Sequence, residues 1–371
     1  MSQSTAQAGT VAGPGASGAP ADATMRAGVY RGAREVRVEE VPRPVIGDGE
    51  VLIRVAACGI CGTDIKKIQY GFLPPPQIFG HEMAGTVAAV GAGVTAWRPG
   101  DRVVSFHHVP CGDCFYCARD LHSQCATYKK VGVTAGFTPA GGGFAEYVRV
   151  MPWIAARGMV AIPPDVTFDE ATFVEPVNTC LKCVRKGRVA PGEVVLVIGQ
   201  GPIGLLLMLL ARLEGATVLT TDLMPERRAR SLQLGADAAL DPAAGGVRQA
   251  LAARTSGRGA DVVLVAVPSP ALVAEALALA RPGGRVVLFA HNDPQMTMSV
   301  PAAPIGIEEK ELLGSYSASI DLQAESARLV FERRLPVADL VSHRFPLARI
   351  AEALDLAARP DGHSMKVVIA P

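Results

Sequence analysis

Between Val194 and Phe289 apolar strands and helices alternate, and one junction in that series constrains the fold more than anything else in the chain. Val194–Ile198 is an unbroken run of five apolar residues, as expected of a strand buried on both faces. Gly199-Gln200-Gly201-Pro202-Ile203-Gly204 follows at once and opens a helix running through Leu213. Strands at Thr217–Thr221, Val262–Val267 and Arg285–Phe289 are separated by helices at Pro225–Leu234 and Ala271–Leu279. Such alternation specifies an α/β fold, a doubly wound parallel sheet covered by helices. Glycines at 199, 201 and 204 permit a tight turn and close backbone approach, and the helix N-terminus then faces a pyrophosphate. Pro202 suits the first helical turn, where its missing amide hydrogen costs nothing.

Asp222 ends the next strand, 18 residues beyond Gly204, where a carboxylate can accept both ribose hydroxyls of NAD. A lone glycine motif is weak, and an aspartate after a strand is also a common turn former. Strand, glycines, helix, strand and acid in this order are far more specific. Arg227 is placed to stack on the adenine. Arg227 and Arg228 also offer charge to a 2′-phosphate, but Asp222 repels one, so NAD is expected over NADP.

From Met25 to about Pro164 the texture differs. Short alternating strands at Arg34–Glu40, Glu50–Ala56, Gly85–Val90, Asp101–Ser105 and Phe144–Val150 are broken by Gly and Pro, which describes a mainly antiparallel β domain with long loops. Phe168–Arg188 reads as helical. After Ser317 a long helix and a final strand, Met365–Ala370, are expected to return to the first domain. Residues 1–24 carry only Asp22 as a side-chain charge and are otherwise mostly small, so they read as a disordered tail. The expected division is therefore a tail at 1–24, a mainly β domain at 25–185 and 317–371, and a nucleotide-binding domain at 186–316.

Four of the eight cysteines, Cys111, Cys114, Cys117 and Cys125, stand at C-x2-C-x2-C-x7-C spacing. Four thiolates this close can close a tetrahedral cage around zinc with no open position, a site that organises a loop. Two disulfides in a secreted protein are the alternative. No basic start followed by an apolar run is visible at the N-terminus, so cytoplasm and reduced thiols are expected. The longest apolar stretch, Ile203–Ala211, is too short to span a bilayer. Lys and Arg number 36 against 35 acidic residues, a balance that gives no reason to expect nucleic acid or an anionic membrane surface as partner.

With the cluster explained, Cys61 is free for a second metal site. Cys61, His81, Glu82 and Glu175 offer thiolate, imidazole and carboxylate, and three such ligands plus water make an open, reactive zinc centre. Singly, each has an ordinary explanation, and Cys58, Cys180 and Cys183 are read as small buried hydrophobes.

Together these motifs resemble the zinc-dependent medium-chain alcohol dehydrogenases, and within them the sorbitol (polyol) and threonine dehydrogenases. The matching stretches are Cys58-Gly59-Ile60-Cys61-Gly62-Thr63-Asp64, Gly80-His81-Glu82, the four-cysteine lobe, Gly142 to Tyr147, Glu175-Pro176, the glycine turn and Ser342-His343-Arg344-Phe345. The resemblance implies a GroES-like first domain beside the Rossmann domain, two zinc ions per chain, NAD, and a homotetramer or homodimer. It implies that Cys61, His81 and Glu82 hold the catalytic zinc, with Glu175 bound directly or through water, and that Thr63 passes on the substrate proton. Ile203, Asp222, Arg227, Phe289 and Ala290 are implied to contact NAD.

One departure stands out. The family commonly has a relay histidine five residues after the zinc cysteine, where this chain has Lys66, followed by Lys67. An ammonium is a poor proton acceptor at neutral pH unless burial depresses its pKa, so either that occurs or water carries the proton. The two lysines either point to solvent or make the cleft mouth basic, favouring an anionic or phosphate-bearing polyol. Tyr70, Phe72 and Phe106 are candidates for the pocket wall. The expected activity is reversible NAD-dependent oxidation of a secondary alcohol, a small-molecule polyol, cyclitol or sugar alcohol. L-Threonine 3-dehydrogenase is the rival chemistry, and a non-catalytic zinc and nucleotide-binding protein is the rival of another class.

Overall fold

The computed structural model describes residues 23–289 and 297–371. Six parallel strands form one sheet in the spatial order Ala238–Leu240, Thr217–Thr221, Val194–Ile198, Ala260–Val265, Ala280–Leu288, Glu311–Gly314. In sequence order this is 3-2-1-4-5-6, the dinucleotide-binding arrangement, and its switch point lies between the first and fourth strands, where the glycine turn emerges. The Val194–Ile198 strand is buried along its whole length. The helix after the turn, Pro202–Leu213, has Gly204 to Ala211 all buried. A helix apolar on every face belongs inside a protein. Each of its leucines from Leu205 to Leu210 contributes about 1.5–3 kcal/mol by leaving water.

The second sheet has eight strands and is curled and largely antiparallel. At its centre Val51–Gly59 pairs with Glu82–Val90, with Gly59 opposite Glu82. The final strand, Lys366–Ala370, lies antiparallel on Val51–Gly59 and parallel to Val341–Pro346. Two points of the site, Glu82 and Lys366, thus sit on strands flanking the same neighbour.

Two expectations are corrected and one is refined. Phe168–Arg188 is two helices, Phe168–Ala171 and Val174–Lys186, separated at Thr172 and Phe173. Pro176 lacks the amide hydrogen that would bond the Thr172 carbonyl, and its ring opposes that carbonyl, so a continuous helix is broken there. The stretch after Ser317 contains two nine-residue helices, Gln323–Phe331 and Ile350–Ala358, and no long one. Arg333, with φ 52°, and Pro336 stop the first of them. Thr24, assigned to the tail, already begins a strand, Thr24–Gly32, paired with Glu35–Pro42. The expectation of disorder for residues 1–22 lies outside the described residues, as does Ala290.

A helix absent from the sequence reading, Gly62–Tyr70, starts directly at Cys61, whose sulfur accepts from the Thr63 amide at 3.4 Å. The Val174–Lys186 and Pro202–Leu213 helices share one apolar core through Val177, Leu181, Leu206 and Leu210. That contact fixes Glu175, in the first turn of the former, close to the nucleotide turn.

Candidate active site

Strand ends and helix starts carry the polar groups of the site. Cys61 caps the Gly62–Tyr70 helix, His81 and Glu82 open the Glu82–Val90 strand, and Glu175 lies in the first turn of Val174–Lys186. Donor atoms of Cys61, His81 and Glu82 all lie within 4.8 Å of one another, and those of His81, His107 and Glu175 form a second such group. The predicted set is therefore two overlapping groups hinged on His81. Glu175 joins through His81 and His107.

Asp64 organises this pair of ligands, a role the sequence motif alone did not disclose. Its Oδ1 lies 3.1 Å from His81 Nδ1, and its Oδ2 accepts from the Cys61 amide at 3.1 Å. A carboxylate on Nδ1 fixes the tautomer in which Nε2 is free to bind a metal. Burial acts to raise the Asp64 carboxyl, but the charge and hydrogen bond of His81 outweigh it and hold the carboxyl below its usual range.

Glu82 has a buried partner of its own. Lys366 Nζ contacts its Oε2 and also donates to the Ile60 carbonyl at 3.1 Å. Burial acts to lower the Lys366 pKa, yet the carboxylate of Glu82 keeps it raised. Glu175, in contrast, is pushed up to about 7, chiefly by burial. Lys66 is half-buried and its pKa is lowered by burial, the direction a proton-accepting amine needs. His107 is buried and pushed well below its ordinary value, first by burial and then by neighbouring His108 and His81, so it is neutral.

The donor groups open into a cavity of about 650 Å³, lined also by Thr63, Lys66, Lys67, Phe72, His108, Lys129, Ile203 and Phe289. Of the three aromatic candidates only Phe72 lines it. Phe106 is buried in the core against the Val174–Lys186 helix, and Tyr70 is exposed, stacked on Phe72 with ring centres 5.4 Å apart. A second cavity, of about 330 Å³, is lined by Gly199, Gly201, Pro202, Gly204, Asp222 and Arg227. The two share Cys61, Glu82, Pro176 and Ile203, so they meet at the metal-donor group.

The nucleotide turn is shaped as its glycines require. Gly199 has φ +89°, and a Cβ on Gly204 would stand 1.7 Å from the Gly199 carbonyl oxygen. Asp222 Oδ2 accepts from the Gln200 amide at 2.7 Å and Oδ1 from the Met224 amide at 2.9 Å, while Arg227 Nη1 lies 3.9 Å from Oδ2. The acid is thereby held at the mouth of the turn.

The sulfurs of the four-cysteine lobe are spaced as a zinc cage requires. Cys111, Cys114, Cys117 and Cys125 are all free thiols, with sulfur separations of 3.5 Å (Cys125 to Cys111), 3.6 Å (Cys114 to Cys117) and 3.8 Å (Cys111 to Cys117). A tetrahedron with zinc–sulfur bonds of about 2.3 Å has edges of about 3.8 Å. Beyond these sulfurs, the lobe's own apolar cluster holds only Tyr128. Cys58, Cys180 and Cys183 are buried, and burial pushes their thiols up, Cys183 to about 12.

Comparisons with known proteins agree with this geometry. Residues 47–163 match the alcohol dehydrogenase GroES-like domain and residues 202–332 match zinc-binding dehydrogenase. The chain is 30% identical to sorbitol dehydrogenase of Bombyx mori over 92% of this chain and 97% of that protein. It is 32% identical to L-threonine 3-dehydrogenase of Symbiobacterium thermophilum, over 90% of this chain and 94% of that protein. The solved structure of the alcohol dehydrogenase TADH from Thermus sp. ATN1 is similar with a TM-score of 0.82 at 30% identity, covering 93% of this chain and 99% of that one. The chain belongs to the zinc-dependent medium-chain alcohol dehydrogenase family, with a GroES-like domain beside a Rossmann-like parallel sheet. It is accordingly an oxidoreductase of alcohols that uses zinc and a nicotinamide dinucleotide.

Proposed function

We propose that this protein oxidises a secondary alcohol of the polyol, cyclitol or sugar-alcohol class to the ketone, reversibly, with NAD as hydride acceptor. The observation that carries the reading is the meeting of the two cavities at Cys61, Glu82 and Ile203, which brings the metal-donor group to the cavity that the glycine turn lines. Cys61, His81 and Glu82 are read as holding the catalytic zinc, with Glu175 nearby, and the four-cysteine lobe as holding a second. Zinc bound there supplies Lewis acidity that lowers the pKa of the alcohol hydroxyl.

The remaining work falls to the chain. Thr63, beside Cys61, is read as accepting the hydroxyl proton and handing it towards Lys66 or water. Ile203 and Phe289 wall the ring that receives the hydride. Asp222 selects NAD through the ribose hydroxyls, with Arg227 over the adenine, and a higher kcat/KM with NADP would contradict this. Residues 25–185 and 317–371 are read as the GroES-like catalytic domain and 186–316 as the NAD-binding domain. No helix among the described residues is long and apolar enough to cross a membrane. A cytoplasmic homodimer or homotetramer is the expected form, and light scattering during gel filtration tests the assembly.

L-Threonine 3-dehydrogenation is the second reading, favoured by the 32% identity to that enzyme. Following NADH formation with polyols and with L-threonine decides between them. Turnover of polyols supports the first, turnover of threonine alone supports the second, and turnover of neither refutes both.

A further inference from the structure

The substrate cavity is lined by two unlike sets of groups. One is the metal-donor set around His81. The other is a set of cations from two separate elements. Lys66 and Lys67 come from the helix that follows Cys61, and Lys129 from the turn after Cys125, where its amide donates to the Cys125 carbonyl at 3.1 Å. Lys67 Nζ lies 5.8 Å from the centre of the Phe79 ring. Among the described residues, neither Lys67 nor Lys129 forms an ion pair.

The Lys67 charge helps to hold the buried Asp64 carboxyl below its usual range, but Asp64 does not line the cavity. The carboxylates lining the cavity among the described residues are Glu82 and Glu175, and both belong to the donor groups. Nor is the cofactor's pyrophosphate their target, because the glycine turn, Asp222 and Arg227 line the neighbouring cavity, which includes none of the three lysines. Phe72, Leu73, Val131 and Pro139 add apolar wall to the same cavity, and low-dielectric walls focus charge of one sign onto a ligand. The volume of about 650 Å³ is within the range of small-molecule sites.

We propose that the alcohol carries an anionic group, a phosphate ester or a carboxylate, at the end remote from the reacting carbon, and that Lys67 and Lys129 bind it. This rests on the dehydrogenase reading and narrows its substrate class. The two lysines are specificity residues: they hold the far end of the chain so that the carbinol meets the donor group.

The test uses the zinc-loaded full-length enzyme with NAD and matched alcohols: sorbitol against sorbitol 6-phosphate, and galactitol against galactonate. The expected result is a kcat/KM at least roughly tenfold higher for one anionic member over its neutral partner. Lys67→Gln and Lys129→Gln should each remove roughly that factor for the anion and change the neutral alcohol less than about twofold, with Lys67→Arg retaining it. Inorganic phosphate should inhibit competitively against the alcohol and weaken as a ligand in both glutamine variants, measured by calorimetry. The phosphate and carboxylate arms identify which anion is bound. Equal use of charged and neutral members, or equal losses for both in the variants, overturns the inference and leaves the dehydrogenase reading standing. No turnover of any member overturns the polyol reading and the inference with it.

Discussion

Asp64 is not one of the proposed metal ligands, yet its removal should loosen the metal more than any other change outside them. Its carboxylate is fully buried. It meets His81 Nδ1 at 3.1 Å, the Cys61 amide at 3.1 Å and, more weakly, the Gly80 amide at 3.4 Å. Asp64→Ala strands two good donors in a dry site at about 1–3 kcal/mol each, so about 2–6 kcal/mol of stability is at stake. It also frees the imidazole to rotate and to change tautomer. Losing such a partner typically weakens metal binding about 10–100-fold, or about 1.4–2.8 kcal/mol. Asp64→Asn keeps an acceptor for His81 and should fall between the parent and the alanine variant. The assay is zinc retained per chain after dialysis against graded chelator, by mass spectrometry, with circular dichroism to check folding. The lobe zinc acts as internal reference. A folded Asp64→Ala protein that holds both zinc ions as tightly as the parent refutes the reasoning.

Three further changes probe separate parts of the fold. Cys125→Ser opens a cage whose lobe has little other core, so zinc content should drop by one ion per chain and Tm by more than about 5 °C; mass spectrometry and calorimetry read both. Gly204→Ala puts a Cβ 1.7 Å from the Gly199 carbonyl oxygen, which the turn can relieve only by opening. NAD binding followed by fluorescence should weaken at least about tenfold, with a stability loss of about 1–3 kcal/mol in urea. Lys366→Met leaves the buried Glu82 carboxylate without its cation. Metal-free protein should lose about 3–5 kcal/mol in urea unfolding, and adding Glu82→Gln to that variant should restore part of the loss.

What could be read from the sequence was whatever is encoded locally. The four lobe cysteines span residues 111–125, so their spacing alone reports the cage. The glycine turn likewise lies within six residues between a strand and a helix whose apolar patterns are themselves local. Lys366 was not legible, because its partner Glu82 is brought to it by the strand Val51–Gly59 lying between their two strands. His107 gave one signal that could have been used, a histidine pair just before the lobe, but only packing brings its ring centre 4.6 Å from that of His81. Lys129 is similar: its own neighbours say nothing, and only the fold brings it to line the same cavity as Lys67. The broken helix at Thr172 could have been anticipated, since Pro176 was visible, but the apolar periodicity across it is continuous enough to mask the break.

The most direct measurement is an anomalous difference map at the zinc edge from crystals of the purified protein with NAD. One peak should lie among Cys61, His81 and Glu82, about 2.3 Å from the sulfur and about 2.0–2.2 Å from nitrogen and oxygen, and a second among the four lobe sulfurs. A map with the lobe peak strong and nothing between Cys61, His81 and Glu82, from protein that still oxidises its alcohol, would contradict the account.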